Sequence, residues 1–186
     1  MRRLAQTALL VSSLTLVPLA RADDKGKPSP QMPKPAPALV DAFKGMTGTW
    51  VCKGQFQKMD GSGSLESSST MVLKSTVDGF AYSGDVTVAK NAVLPNGMQE
   101  QMVWSYNPAT KKLVEFFVDS FGSLGHGTSD GLVGDTVIWN EDAVMMGKAS
   151  KSRTTVKMAP SQVDLTFDVQ TDGKWSTVGT NSCKKQ

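Results

Sequence analysis

The stretch Lys44-Gly-Met-Thr-Gly-Thr-Trp-Val-Cys-Lys-Gly-Gln-Phe56 decides how this chain of 186 residues is read. Successive side chains of an extended segment point to opposite sides, so Trp50, Cys52, Gly54 and Phe56 share one face. Cys52 is one of only two cysteines; the other, Cys183, is followed only by Lys184, Lys185 and Gln186. By the same alternation Cys183 shares a face with Trp175, Thr177, Gly179 and Asn181. Antiparallel first and last strands with a cysteine each on matching faces can approach at bridging distance. The sheet would then be closed on itself. Two buried free thiols are the alternative.

Everything between the cysteines reads as strand and turn. Alternation is cleanest at Phe80-Tyr82-Gly84-Val86-Val88 and at Val163-Leu165-Phe167-Val169, with small or polar residues between. Asp60-Gly-Ser-Gly63, Asp78-Gly79, Pro95-Asn-Gly97, Asn107-Pro108, Gly134-Asp135, Ala159-Pro160 and Thr171-Asp-Gly173 supply turn residues at short intervals. The strands expected are 47–57, 65–77, 80–90, 98–106, 112–119, 125–132, 136–141, 147–158, 162–170 and 174–183. About ten consecutive antiparallel strands joined by tight turns make an all-β, up-and-down barrel, whose closure removes exposed edges. A short helix bracketed by Pro37 and Gly45 is expected before the first strand, at about 39–44.

The N-terminus reads as an export signal. Met1-Arg2-Arg3 is a basic head, Ala8 to Leu19 is an apolar core broken by Ser12, Ser13, Thr15 and Pro18, and Ala20-Arg21-Ala22 offers small residues for cleavage. The core is shorter than the ~20 residues of a membrane-spanning helix, which weighs against the alternative of an N-terminal anchor. Residues 1–22 are therefore read as a signal peptide, 23–40 as a linker and 41–186 as the barrel domain. Five prolines between Asp23 and Ala38 make the linker extended. Removing Arg2, Arg3 and Arg21 lowers the 20 basic residues to 17, against 17 acidic ones. The mature chain has no excess positive charge with which to hold a phosphate backbone, so nucleic-acid partners are not expected. The expected location is periplasmic or secreted, with no membrane span after cleavage, as a monomer or weak dimer. In such a compartment two cysteines favour a disulfide.

Several short motifs together resemble one family. They are Gly48-Thr-Trp-x-Cys-x-Gly54, Ser105-Tyr-Asn-Pro108, Asp119-Ser-x-Gly122, Ser129-x-Gly-x-x-Gly-Asp135, Trp139, and Gly173-Lys-Trp175 through Cys183-Lys-Lys. In order and spacing, over about Phe43 to Lys185, they are similar to the exported bacterial domain of unknown function 1579. Phe80 departs from the pattern, standing where a tryptophan is expected. The resemblance implies a lipocalin- or calycin-like barrel with a cup-shaped interior, and no activity.

Chemical motifs are sparse. Gly127-Thr-Ser-Asp-Gly131 matches a hydrolase nucleophile elbow in letters, but it leads into another strand rather than a helix, and the sole histidine, His126, is misplaced as a base for Ser129. His126 is also the only imidazole for haem, and no ligand cluster has metal spacing. Asp60-Gly-Ser-Gly-Ser64 lacks the glycine and the glutamate of a calcium loop. No cofactor, metal or catalytic residue is assigned.

The informative anomaly lies in the middle strands. Glu100 shares a face with Met98, Met102, Trp104 and Tyr106, while Glu115 and Asp119 share one with Leu113 and Phe117. If these faces point inward, carboxylates sit in an aromatic interior and need partners, for which Arg153 or Lys151 are candidates. If not, they lie in water. The leading expectation is a barrel that binds a small, apolar or amphipathic ligand, lined by Trp50, Met102, Trp104, Tyr106, Phe117, Trp139 and Arg153. The alternatives are a filled barrel that acts through its outer surface, or an enzyme using Glu115 or Asp119 with Arg153.

Overall fold

The structure, a computed structural model, describes residues 32–58, 61–145 and 147–186. The signal peptide assigned to residues 1–22 and the first part of the linker lie outside the described residues. Lys34–Gln186 form one compact unit. Its elements are a helix α1 (Pro37–Ala42) and strands β1 (Gly48–Gln57), β2 (Ser64–Thr76), β3 (Ala81–Val88), β4 (Met98–Asn107), β5 (Lys112–Asp119), β6 (Leu124–Ser129), β7 (Leu132–Val133), β8 (Thr136–Met145), β9 (Lys148–Ala159), β10 (Gln162–Thr171) and β11 (Lys174–Lys185).

Each strand pairs antiparallel with its sequence neighbours, apart from β7, which pairs β8 alone while β6 also pairs β8. β1 pairs with β11, so ten strands close into a barrel and β7 is a two-residue ribbon beside it. The fold is thus an all-β closed antiparallel barrel with one short α-helix. Cys52 stands opposite Cys183 in the β1–β11 register, and the two form a disulfide.

Alternation sets which residues fill the barrel. Trp50 and Cys52 on β1, Leu73 on β2, Tyr82 on β3, Trp104 on β4, Leu113 on β5, Val137 and Trp139 on β8, Val163 on β10 and Cys183 on β11 belong to one buried cluster. Every one of them comes from the same end, the base. α1 belongs to that end: Leu39 and Ala42 join the cluster, and Phe43, just beyond the helix, stacks on Tyr82 at 4.5 Å between ring centroids. Trp50 Nε1 donates to the Met46 carbonyl at 2.7 Å, which ties the plug to β1. The helix begins at Pro37, a position that suits a residue without an N–H. Residues 37–40, assigned to the linker from composition, are therefore part of the plug; composition does not register that Leu39 is an apolar anchor (1% exposed).

One strand differs from simple alternation. Phe167 pairs with Gly179 but Asp168 pairs with Thr177, so Val178 is an extra residue, a β-bulge. The bulge flips the strand, so Trp175 and Thr177 lie on the outer face while Gly179, Asn181 and Cys183 remain on the inner one. The single face expected from Trp175 to Cys183 is broken there.

Candidate functional site

Towards the other end of the barrel, the mouth, inward positions change character. Met98, Glu100, Met102, Phe117, Asp119, Glu141, Ser152 and Thr154 are only half-buried, whereas Trp50, Leu73, Tyr82, Trp104, Leu113, Trp139 and Val163 towards the base are buried, with Tyr106, Val156, Met158 and Leu165 partly buried beside them. Where the two halves meet, a row of inward residues crosses successive strands: Tyr82 pairs with Trp104, Trp104 with Glu115, Glu115 with Gly127, Gly127 with Glu141 and Glu141 with Ser152. The carboxylates of β4 and β5 thus face inward, among aromatic side chains.

Glu115 is the centre of this row. It is 2% exposed. Its Oε2 accepts from Trp104 Nε1 at 2.9 Å; its Oε1, buried against Gly127, meets no donor while the carboxyl is ionised, and the protonated carboxyl hydrogen-bonds Glu141. Glu141 Oε2 accepts from Ser152 Oγ at 2.5 Å. Glycine makes the row possible. A Cβ on Gly127 would overlap Glu115 Oε1 and come within 3.0 Å of Cγ of both Glu115 and Glu141. Likewise Gly84 leaves the space occupied by the Trp104 ring, which lies 2.8 Å from where a Cβ would be.

Burial and repulsion dominate the electrostatics. Burial, then the charge of Glu141, push the Glu115 carboxyl up to about 8, against the opposing pull of the Trp104 N–H, with the charge of Glu100 and a side-chain hydrogen bond to Glu141 adding to the rise. Burial, then Asp119 and Glu141, push Glu100 up to about 7. The charged groups acting on these two acids are other acids. Asp119, at the mouth end of β5, directs Oδ1 to the N–H groups of Phe121 (2.8 Å) and Ser123 (2.9 Å) and holds the following turn.

Met102, Trp104 and Phe117 surround the row of acids: Met102 pairs with Phe117 and Trp104 with Glu115. Trp50 and Trp139 are buried in the base cluster, and Tyr106 packs against that cluster. Arg153 does not join them. Its register partners are Asn140 and Asp168, on the outer face of β9, between the inward-facing Ser152 and Thr154. There its Nε and Nη2 donate to Asp168 Oδ2 at 3.1 and 2.7 Å, Thr177 Oγ1 donates to Asp168 Oδ1, and the guanidinium lies 4.9 Å from the Trp175 ring centroid. Arg153 and Thr177 together hold the Asp168 carboxyl below the usual range. Lys151, the other candidate partner, pairs with exposed Asp142. His126 is exposed on the outer face beside Phe116, and Ser129 is buried at the end of β6, where its Oγ accepts from the Gly131 N–H.

Glu141 is not among the residues expected from sequence. The signal is present: Trp139, Glu141 and Ala143 alternate on one face, but the strand expected there ends at 141. Among the described residues, no three His, Cys, Asp or Glu side chains are placed to hold a metal ion.

The arrangement defines a class, a plugged antiparallel barrel with acids set into its wall. No family model matches the chain, and no curated protein does. Among solved structures it is similar to that of Rv2717c from M. tuberculosis, at 11% identity and a TM-score of 0.60, over 82% of this chain and 99% of that one. That likeness is one of fold. A de novo designed fluorescence-activating β-barrel aligns at 14% identity and a TM-score of 0.43, over 79% of this chain and 99% of that one.

Proposed function

We propose that this protein is an exported barrel that binds a small, apolar or amphipathic molecule in the mouth half of its interior. One observation carries the reading. Inward side chains from Met102 and Phe117 to Ser152 and Thr154 are half-exposed, while the base beneath them is sealed by α1, Phe43 and Trp50. Apolar side chains beside a few placed polar groups, as Met98, Met102 and Phe117 stand beside Glu100, Glu141 and Ser152, are the kind of lining a small-molecule site uses. Met102 and Phe117 would contact the ligand, Trp104 would form the floor, and Trp50, Trp139 and Tyr106 would support that floor from the base. Export is supported by the leader-like residues 1–22 and by the Cys52–Cys183 disulfide. Among the described residues, no helix is long and apolar enough to cross a membrane. The resemblance to the domain of unknown function 1579 fits a barrel of this kind. The test is native mass spectrometry and tryptophan quenching on protein recovered from its own compartment. Recovery with no bound small molecule, together with no quenching by any member of an amphiphile panel, would remove the reading.

A second reading, a protein that acts through its outer surface, is favoured by one feature. Val103 and Phe116 pair across β4 and β5, and Val118, Leu124 and Val144 follow one another across β5, β6 and β8, all exposed on the outer wall. A contiguous apolar surface of this sort marks interaction sites. Sedimentation of the wild type and of Phe116→Lys separates the two readings: this one requires an assembly that the substitution disperses.

A further inference from the structure

The rim of the barrel mouth is not uniform. Three neighbouring turns each present an exposed apolar side chain: Val93 in the connection 89–97 between β3 and β4, Phe121 in the turn 119–123 between β5 and β6, and Met145 at the end of β8. They lie side by side. The Ser120 N–H donates to the Gln99 carbonyl at 2.8 Å and Ser120 Oγ accepts from the Gln99 N–H at 3.1 Å, while Leu124 pairs with Val144. Directly below them on the outer wall run Val118, Leu124 and Val144, and one row further Val103 and Phe116, all exposed. Inside the same stretch of rim stand Met98, Met102 and Phe117. Apolar surface therefore passes from the outer wall over the rim into the mouth on this side. The far side differs: the outer faces of β1, β10 and β11 carry Gln55, Gln57, Asp164, Thr166, Thr180 and Ser182.

Charge on the apolar side has one sign. Its three turns carry two exposed lysines, Lys90 and Lys148, and neither makes an ion pair among the described residues. The one acid there, Asp119, is half-buried and holds the N–H groups of Phe121 and Ser123. The acids that border the apolar wall are already matched, Asp85 with Lys74 and Asp142 with Lys151. We propose that this side of the mouth docks on an anionic lipid bilayer, with Val93, Phe121 and Leu124 among the upper acyl chains and Lys90 and Lys148 at the lipid phosphates. Apolar side chains flanked by lysines, whose long stems let the charge reach the headgroups, form an interfacial anchor. A second copy of the chain fits this side less well, because it brings no unpaired acid to meet the two lysines. The inference rests on the reading of the outer wall as an interaction surface and names its partner; what the interior holds does not enter.

The experiment is flotation of the full mature chain with vesicles of phosphatidylcholine alone and of phosphatidylcholine mixed with phosphatidylglycerol. Binding is expected to be about ten- to thirtyfold tighter to the mixed vesicles, the range for two lysines at an anionic surface, and to fall towards the neutral-vesicle level as salt is raised. Lys90→Gln/Lys148→Gln should abolish that preference, and Phe121→Ser should weaken binding to both vesicles about tenfold. All three positions are exposed, so the urea midpoint should stay at its wild-type value. An equal loss from Lys58→Gln/Lys174→Gln, on the far side of the rim, would overturn the assignment of this face. Absence of flotation with either vesicle would overturn the proposal outright. If the lipid-free protein then sediments as an assembly that Phe116→Lys disperses, the wall serves a second copy; if it sediments as a monomer, the outer-surface reading falls with the proposal.

Discussion

Glu115 and Glu141 face each other across Gly127, and it is the missing side chain of that glycine that lets the two carboxyl groups share one row of the barrel wall. Like charges brought so close in a buried setting are stable only if one holds a proton or a cation is added. The spacing of these two residues is therefore the main chemical fact of the interior.

Gly127→Ala tests the spacing directly. Its Cβ would overlap Glu115 Oε1 and press on Cγ of both acids. Overpacking of this kind costs about 1–3 kcal/mol, read as a lower urea midpoint at unchanged m-value. A variant as stable as the wild type would show that the row is looser than its geometry implies.

Trp104→Phe keeps the aromatic floor and removes the N–H that bonds Glu115 Oε2. Leaving a buried acceptor unsatisfied costs about 1–3 kcal/mol. Because that N–H favours the ionised carboxylate, Glu115 should titrate above its value of about 8 in the variant. Carbon-detected NMR of the glutamate carboxyls reads this; an unchanged or lower value would contradict the assigned role.

Stability should fall as the solution becomes alkaline. Glu115 and Glu100 hold their protons to about 8 and about 7 in the folded protein, against 4.5 in an ordinary setting. Through that window the unfolded chain binds fewer protons than the folded one, so rising pH favours unfolding. Asp168 acts in the opposite sense: its lowered titration stabilises above its ordinary 3.8 and is lost as pH falls below it. The urea midpoint should thus be higher near about pH 5 than near about pH 9. Glu115→Gln, which cannot ionise, should flatten the decline. Equal midpoints at the two pH values would refute the account.

The ten strands of the barrel are legible in the sequence because their alternation is strong and their turns are marked by glycine, proline, asparagine and aspartate. The seam is legible because only two cysteines exist and both lie on strands at the ends of the barrel. Arg153 is less legible. Ser150, Ser152, Arg153, Thr154 and Thr155 carry little apolar contrast, so nothing local says which face of β9 turns inward; its pairing with β8 and β10 decides that. The bulge at Val178 is similarly silent, since an extra residue changes the register without changing composition. Glu141 escapes notice for a different reason. Polar residues after Trp139 look like the end of a strand when the acidic row that receives them is not yet known.

Arg153→Ala should destabilise the outer wall. It strips Asp168, 9% exposed at its side chain, of two donors and leaves Thr177 alone. Because the arginine side chain is itself 35% exposed, the expected loss is reduced by solvent to about 1–2 kcal/mol. Arg153→Lys should recover only part of it, since an ammonium cannot reproduce the two-nitrogen contact. Full recovery by lysine would mean that charge alone matters.

Replacing both cysteines by serine should cost on the order of 4–5 kcal/mol by the chain-entropy model for a long closed loop. The measurement is the difference in urea midpoint between oxidised wild type and Cys52→Ser/Cys183→Ser. An unchanged midpoint would mean that the hydrogen bonds between β1 and β11 hold the seam unaided.

The bond between Cys52 and Cys183, 131 positions apart, also turns almost the whole barrel into a covalent macrocycle. A protease that cuts one exposed hairpin would open a ring rather than divide a molecule. The two ends so created would stay joined through the sulfur atoms, and damage to one turn would become visible as separate fragments only after reduction.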